Sequence, residues 1–145
     1  MRKISKTLKD TEHIAKEFLR NLSMGEKYHA KVVALSGNLG AGKTAFVAAV
    51  AKHLEVKSIV NSPTFVIIKK HLIGKTGPHK FLFHIDAYRL KNETELVLLG
   101  WPEILKDRKN LVFIEWPENV KKVMPRYAHK IKISHHADGQ RRFEI

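Results

Sequence analysis

The stretch LSGNLGAGKTAF, Leu35 to Phe46, decides how this chain folds. Three glycines and a lysine stand between an apolar run, AKVVALS, and a run of helix formers, KTAFVAAVAKHL. Glycine weakens helices and strands, so three of them in six residues mark a sharp turn or a close approach of a ligand to the backbone. Gly37-Asn38-Leu39-Gly40-Ala41-Gly42-Lys43-Thr44 fits the pattern G-x-x-x-x-G-K-(S/T). At ordinary residue frequencies that pattern arises by chance in roughly one chain in a few hundred of this length. Here it also lies after a predicted strand and before a predicted helix, which is the context it requires. Backbone N–H groups then converge on phosphate oxygens, and the helix N-terminus adds partial positive charge. Lys43 can reach the outer phosphates, and the Thr44 hydroxyl can hold Mg²⁺. A plain strand-to-helix turn would not need Lys-Thr at that place. The ligand read from this stretch is therefore ATP or another nucleoside triphosphate with Mg²⁺.

Around this centre the chain of 145 residues reads as a single P-loop domain, 1–145. It contains no cysteine, so there is no disulfide framework and no thiolate metal site. The first residues, MRKISKTLKD, are charged and do not resemble a signal peptide. No apolar run is long enough to span a bilayer, so a cytoplasmic protein without membrane contact is expected. The net charge of +13 is large. Basic residues gather in KKHLIGKTGPHK (Lys69 to Lys80) and from Lys121 onward. Such charge keeps a protein soluble, or attracts nucleic acid or an acidic partner, without specifying which.

The spacing of Ile14, Phe18, Leu19 and Leu22 predicts a helix from about Thr11, capped by Asp10 or Thr11. AKVVALS, TFVIIKKHLI, HKFLFHID and NLVFIEW read as strands, the middle two as an antiparallel hairpin. Asn92 with Glu95 marks a helix start, Gly100 its end, and Pro102 the first turn of the next. Pro117 opens a short helix that stops before Pro125. AHKIKIS and RRFEI flank an Asp138-Gly139 turn, a second hairpin. The expected architecture is α/β: a three-layer P-loop NTPase fold whose mixed sheet has a parallel core and added antiparallel hairpins.

A phosphate cradle hydrolyses nothing without carboxylates for the metal and the attacking water. Two predicted strands end in an acid, at Asp86 and at Glu115, on the edge where α/β sheets bind ligands. Each acid alone is as readily a surface group paired with a lysine. Two of them in one P-loop chain point to metal and water roles. Thr64, in NSPTF, is a third candidate as a switch threonine. His84 reads as structural or as part of a hydrogen-bond network, and Trp101 and Trp116 as core. Arg89 can pair with Asp86 or contact phosphate.

The segments GNLGAGKT, SPTF, HIDAYRL and FIEWPE, in this order and spacing, resemble the TsaE (YjeE) family of small bacterial P-loop ATPases. His84, Asp86, Tyr88 and Arg89, with Glu115-Trp116, make the resemblance specific, and it covers nearly the whole chain. It implies an ATP- and Mg²⁺-dependent ATPase that helps make threonylcarbamoyladenosine in tRNA with the partners TsaD and TsaB. By motif position it implies that Gly37, Asn38, Leu39, Gly40, Ala41, Gly42, Lys43 and Thr44 bind ATP. It makes Thr44 and Glu115 the Mg²⁺ ligands, with Asp86 and Thr64 as switch or water-positioning residues, although which of the two acids holds the metal stays open. Trp116, Thr11 and one of Arg141 or Arg142 are implied near the nucleotide. The basic Lys69–Lys80 hairpin is longer and more charged than the family pattern. Two other functions compete. A small-molecule kinase would need an arginine-bearing lid, and the short connections show none. A nucleotide-dependent binding module would use ATP only to order Thr64 and its neighbours.

Overall fold

The structure is a computed structural model that describes residues 1–22, 27–58 and 66–145. Thr64, named above, lies outside the described residues. The chain begins with β1 (Arg2–Ser5) and α1 (Leu8–Asn21), followed by β2 (Lys31–Ser36) and α2 (Lys43–His53). The hairpin β3 (Ile68–Leu72) and β4 (Phe81–Asp86) comes next, then α3 (Glu93–Leu98) and α4 (Trp101–Lys106). β5 (Asn110–Glu115), a 3-10 helix (Pro117–Val123), β6 (His129–His135) and β7 (Arg141–Glu144) complete it.

The strands form one sheet in the order β1-β7-β6-β2-β5-β4-β3. Its centre is parallel, β6-β2-β5-β4, and the remaining strands pair antiparallel at the edges. Successive side chains on a strand alternate faces, so β2 and β5, wholly covered by other elements, need apolar residues on both. Val33, Leu35, Leu111 and Phe113 pack under Phe18, Phe46 and Val50 of α1 and α2. Val32, Ala34, Val112 and Ile114 face Leu96 of α3, Trp101 and Ile104 of α4 and Val120 of the 3-10 helix. This is the expected three-layer α/β arrangement. The rings of Phe18, Phe46 and Phe113 meet edge to face at 6.0–6.4 Å, the geometry their quadrupoles prefer.

Two local expectations need correction, and one strand is additional to those the sequence predicts. Helix α1 starts at Leu8, capped by Thr7, whose hydroxyl accepts from the Asp10 amide while Asp10 accepts from the Thr7 amide. That reciprocal pair satisfies two amides at once, which displaces the start from Thr11. At α3 the Asn92 side chain accepts from the Glu95 amide as expected. The Glu95 carboxylate reaches the Lys91 amide, however, at 3.4 Å. Finally, β1 was not expected at all; it is an edge strand whose register, Lys3 opposite Phe143, is set by β7.

Candidate functional site

β2 delivers the chain to the P-loop at the C-terminal edge of the sheet, and α2 leaves it. Gly37, Gly40 and Gly42 all have positive φ, at 151°, 75° and 107°. Their reasons differ. A Cβ on Gly40 would meet nothing within 4 Å, so its glycine serves the turn alone. A Cβ on Gly37 would stand 2.2 Å from the carbonyl oxygen of Ile133 in β6, inside any allowed contact. Gly37 is therefore required by its neighbouring strand as well as by any phosphate. A Cβ on Gly42 would stand 3.7 Å from Nε of Arg141. Of the two arginines, Arg141 thus approaches the P-loop, whereas Arg142 reaches Nδ1 of His136 at 2.9 Å.

Lys43 is buried, and its ammonium donates to the Gly37 carbonyl at 2.5 Å and the Asn38 carbonyl at 3.1 Å. It also stands 4.2 Å from the centre of the Trp116 ring, a cation–π contact. Burial lowers its pKa, and the charges of Glu115, Asp86 and Glu118 oppose that shift. Trp116 has left-handed backbone, φ 58° and ψ 50°, which turns the chain into the 3-10 helix and lays the indole over Lys43. The ring of Tyr88 tilts against it at 5.0 Å.

The two strand-end acids are direct neighbours, because Asp86 of β4 pairs with Glu115 of β5 in parallel register. Their environments differ. Glu115 is buried, accepts from the Thr44 hydroxyl at 3.0 and 3.3 Å, and lies 2.5 Å from Nε2 of His84. His84 is fully buried, so the imidazole fixes the carboxylate against Thr44 and has no access to solvent itself. That assigns His84 to the hydrogen-bond network. Asp86 accepts from the Tyr88 amide at 2.9 Å. Its pKa is raised, chiefly by desolvation and further by the charge of Glu115, with the Tyr88 amide opposing.

A carboxylate with a raised folded pKa binds its proton more readily in the folded state. Stability then falls as pH rises from the unfolded pKa through the folded one, and the ionised form is a cost at neutral pH. Asp86→Asn, which keeps an oxygen for Tyr88, is expected to raise the neutral-pH Tm by about 1–3 °C. The gain should vanish at low pH, where Asp86 is already protonated. Thermal melts of both proteins across pH check this; an equal shift at every pH would reject it.

Thr11 is held against β1: its buried hydroxyl is 2.8 Å from that of Ser5 and 3.5 Å from the Thr7 carbonyl. Ser5 in turn is opposite Arg141. The sequence presents Arg141 only as one of a pair with Arg142, and His84 without a named partner. Alternation along β4 carried a signal for His84, since His84 and Asp86 share one face at the ligand edge.

The donor set suits a hard cation at a phosphate: one hydroxyl and one or two carboxylates, with the remaining ligands left to phosphate and water. Among the described residues no group of three or more His, Asp or Glu is placed to hold a metal unaided. Magnesium at phosphates does not need one.

A mixed sheet with a glycine-rich loop between its central strand and the following helix is the P-loop NTPase type of α/β fold. Residues 5–143 match the family described as "Threonylcarbamoyl adenosine biosynthesis protein TsaE". The chain belongs to the TsaE family. It is 39% identical over 98 residues to the tRNA threonylcarbamoyladenosine biosynthesis protein TsaE of Rickettsia typhi, a match covering 67% of this chain and 62% of that one. The Bacillus subtilis protein of the same name is 47% identical over 64 residues, 44% of this chain and 38% of that one. The chain thus spans less than two thirds of the length of these two curated relatives. The crystal structure of Bacillus subtilis YdiB superposes with a TM-score of 0.73 at 26% identity, covering 99% of this chain and 82% of that one.

Proposed function

We propose that this protein is the Mg²⁺-dependent ATPase component of threonylcarbamoyladenosine formation on tRNA, acting with TsaB and TsaD partners in the cytoplasm. One observation carries the reading: the Thr44 hydroxyl of the P-loop meets the Glu115 carboxylate at 3.0 Å, and His84 locks that carboxylate from behind. A P-loop that only made a turn would have no use for a buried acid held at its Thr. Membership of the TsaE family supplies the pathway.

In this reading the amides of Gly37 to Thr44 orient the triphosphate, and Lys43 turns its ammonium from the Gly37 and Asn38 carbonyls to phosphate oxygens. Thr44 and Glu115 hold Mg²⁺, which when bound neutralises charge that develops on the phosphates. Asp86, one strand over and inclined to accept a proton, orients the attacking water. Arg141 approaches the loop from β7. Trp116 and Tyr88 wall the side of the site.

Glu115→Ala tests the assignment. ATP hydrolysis in the presence of TsaB and TsaD should fall by about tenfold or more while ATP affinity changes far less, because the carboxylate acts through the metal. Calorimetry and phosphate release measure the two. Equal loss of both would leave Glu115 a structural residue. A wild-type rate indifferent to TsaB and TsaD would overturn the partner assignment.

A further inference from the structure

At the opposite end of the sheet from the P-loop lies a cleft of about 470 Å³. Its walls are the C-terminal turns of α1 and α2 and the loop of the β3–β4 hairpin, the basic segment that the phosphate chemistry does not use. The eleven residues of α2 separate it from the loop, about 16 Å at the helical rise. The floor is aliphatic: Leu19, Leu54, Ile73 and Leu111. The rim is cationic, with Lys16 and Arg20 from α1 and Lys75 from the hairpin, and His53 and His79 beside them. Among the described residues that line it there is no acid.

The cleft is built into the fold. The Leu54 carbonyl, at the end of α2, accepts from the amides of both Gly74 and Lys75 at 3.1 and 3.0 Å. The loop is closed at its base by the Ile73 amide donating to the Lys80 carbonyl at 2.9 Å. A Cβ on Gly74 would stand 2.5 Å from the Glu55 carbonyl oxygen, so a glycine there lets the hairpin press against α2. The neighbouring carboxylates of α1 are engaged outside the cleft: Glu12 with Lys52 at 2.8 Å and Glu17 with Lys3 at 2.5 Å. They leave Lys16 and Arg20 directed by their position to the rim. Nε2 of His79 is buried and has no hydrogen-bond partner among the described residues.

We propose that this cleft docks an acidic segment of a partner protein, one in which carboxylates flank an apolar side chain. The aliphatic floor takes the apolar side chain, and Lys16, Arg20 and Lys75 take the carboxylates. Charge complementarity selects the sign, and the floor selects the class. A nucleic acid would call for rings on which bases stack, and among the described residues that line the cleft there is no Phe, Tyr or Trp. A segment held here leaves the P-loop open at the other end of α2, so docking does not depend on the nucleotide reading.

The test is selection from a random dodecapeptide library on the full chain, with Mg²⁺ and ATP, at about 0.15 M salt, where unspecific attraction is screened. The selected peptides are then synthesised and their affinity measured. Two variants are compared: Lys16→Glu/Arg20→Glu/Lys75→Glu in the cleft, and Lys121→Glu/Lys122→Glu/Lys132→Glu elsewhere with the same net charge. All six side chains are exposed, and unchanged melting confirms that both variants fold. The expected result is a consensus of Asp or Glu around Leu, Ile or Phe. Its affinity should drop about tenfold or more in the cleft variant only, with methyl resonances of Leu19, Leu54 and Ile73 shifting on binding. No consensus, a consensus without acids, or equal loss in both variants overturns the proposal. Binding of a single-stranded oligonucleotide that is lost in the cleft variant alone would assign the cleft to nucleic acid instead. ATP affinity should be the same in wild type and cleft variant, so failure here is separable from failure of the ATPase reading.

Discussion

Gly37→Ala should destabilise the protein by about 3–5 kcal/mol, through overpacking and a strained backbone together, lowering Tm by about 10 °C or more. The added Cβ would stand 2.2 Å from the Ile133 carbonyl oxygen, and nothing flexible is available to yield. The obstructing atom belongs to β6, which pairs in parallel with β2 through Leu35 opposite Ile131 and Ser36 opposite Lys132. To admit the methyl, the two strands must part where the P-loop begins, or Gly37 must leave its φ of 151°. Gly40→Ala supplies the control. Its Cβ meets nothing, so only the positive φ is penalised, by about 1 kcal/mol. Melts without ligand separate the two. Similar Tm values for both variants would mean that β6 does not confine Gly37.

Lys43→Ala should weaken ATP binding by about a hundredfold while leaving the Tm of the free protein unchanged or slightly higher. Hydrogen bonds from a charged donor contribute about 1.5–3 kcal/mol each when their acceptor is charged and partly desolvated. The stability side has the opposite sign because burial lowers the lysine's pKa, which marks the ammonium as a cost to the folded chain. Titration calorimetry with ATP and Mg²⁺, paired with melts of the free protein, measures both. Unchanged affinity would remove the P-loop reading. A large drop in Tm would show instead that Lys43 holds the loop together through the Gly37 and Asn38 carbonyls.

The β2–loop–α2 unit was legible because its information is local: a buried apolar run, a fixed glycine-lysine spacing and an alanine-rich helix adjoin one another. The strand-end acids were legible for a related reason, since a strand that closes on Asp86 or Glu115 places the acid on the ligand edge whatever its neighbours. Their pairing was not, because it depends on β4 and β5 lying side by side, and strand order is a property of the whole sheet. The purpose of Gly37 was hidden for the same reason, its constraint coming from Ile133 in another strand. β1 escaped notice because RKIS has one buried residue, Ser5, and no alternation strong enough to declare a strand. The true start of α1 is available in Thr7 and Asp10, three residues apart; of the two cap candidates, Asp10 and Thr11, neither is the cap, and Asp10 is the residue that answers Thr7. The basic hairpin was visible as charge. That it forms one wall of a cleft required Leu54 and Gly74 to meet.

The two tryptophans occupy contrasting places. Trp101 is 1% exposed, and its indole N–H donates to the Val123 carbonyl at 3.0 Å. Trp116 lies half-buried with an ammonium against its face and a phenol ring at its side. Indole emission responds to a charge placed over the ring, so the protein contains two built-in optical gauges with separate subjects. With Trp116 replaced by Phe, the remaining fluorescence follows the collapse of the α4 side of the core. With Trp101 replaced, it follows the position of a single lysine.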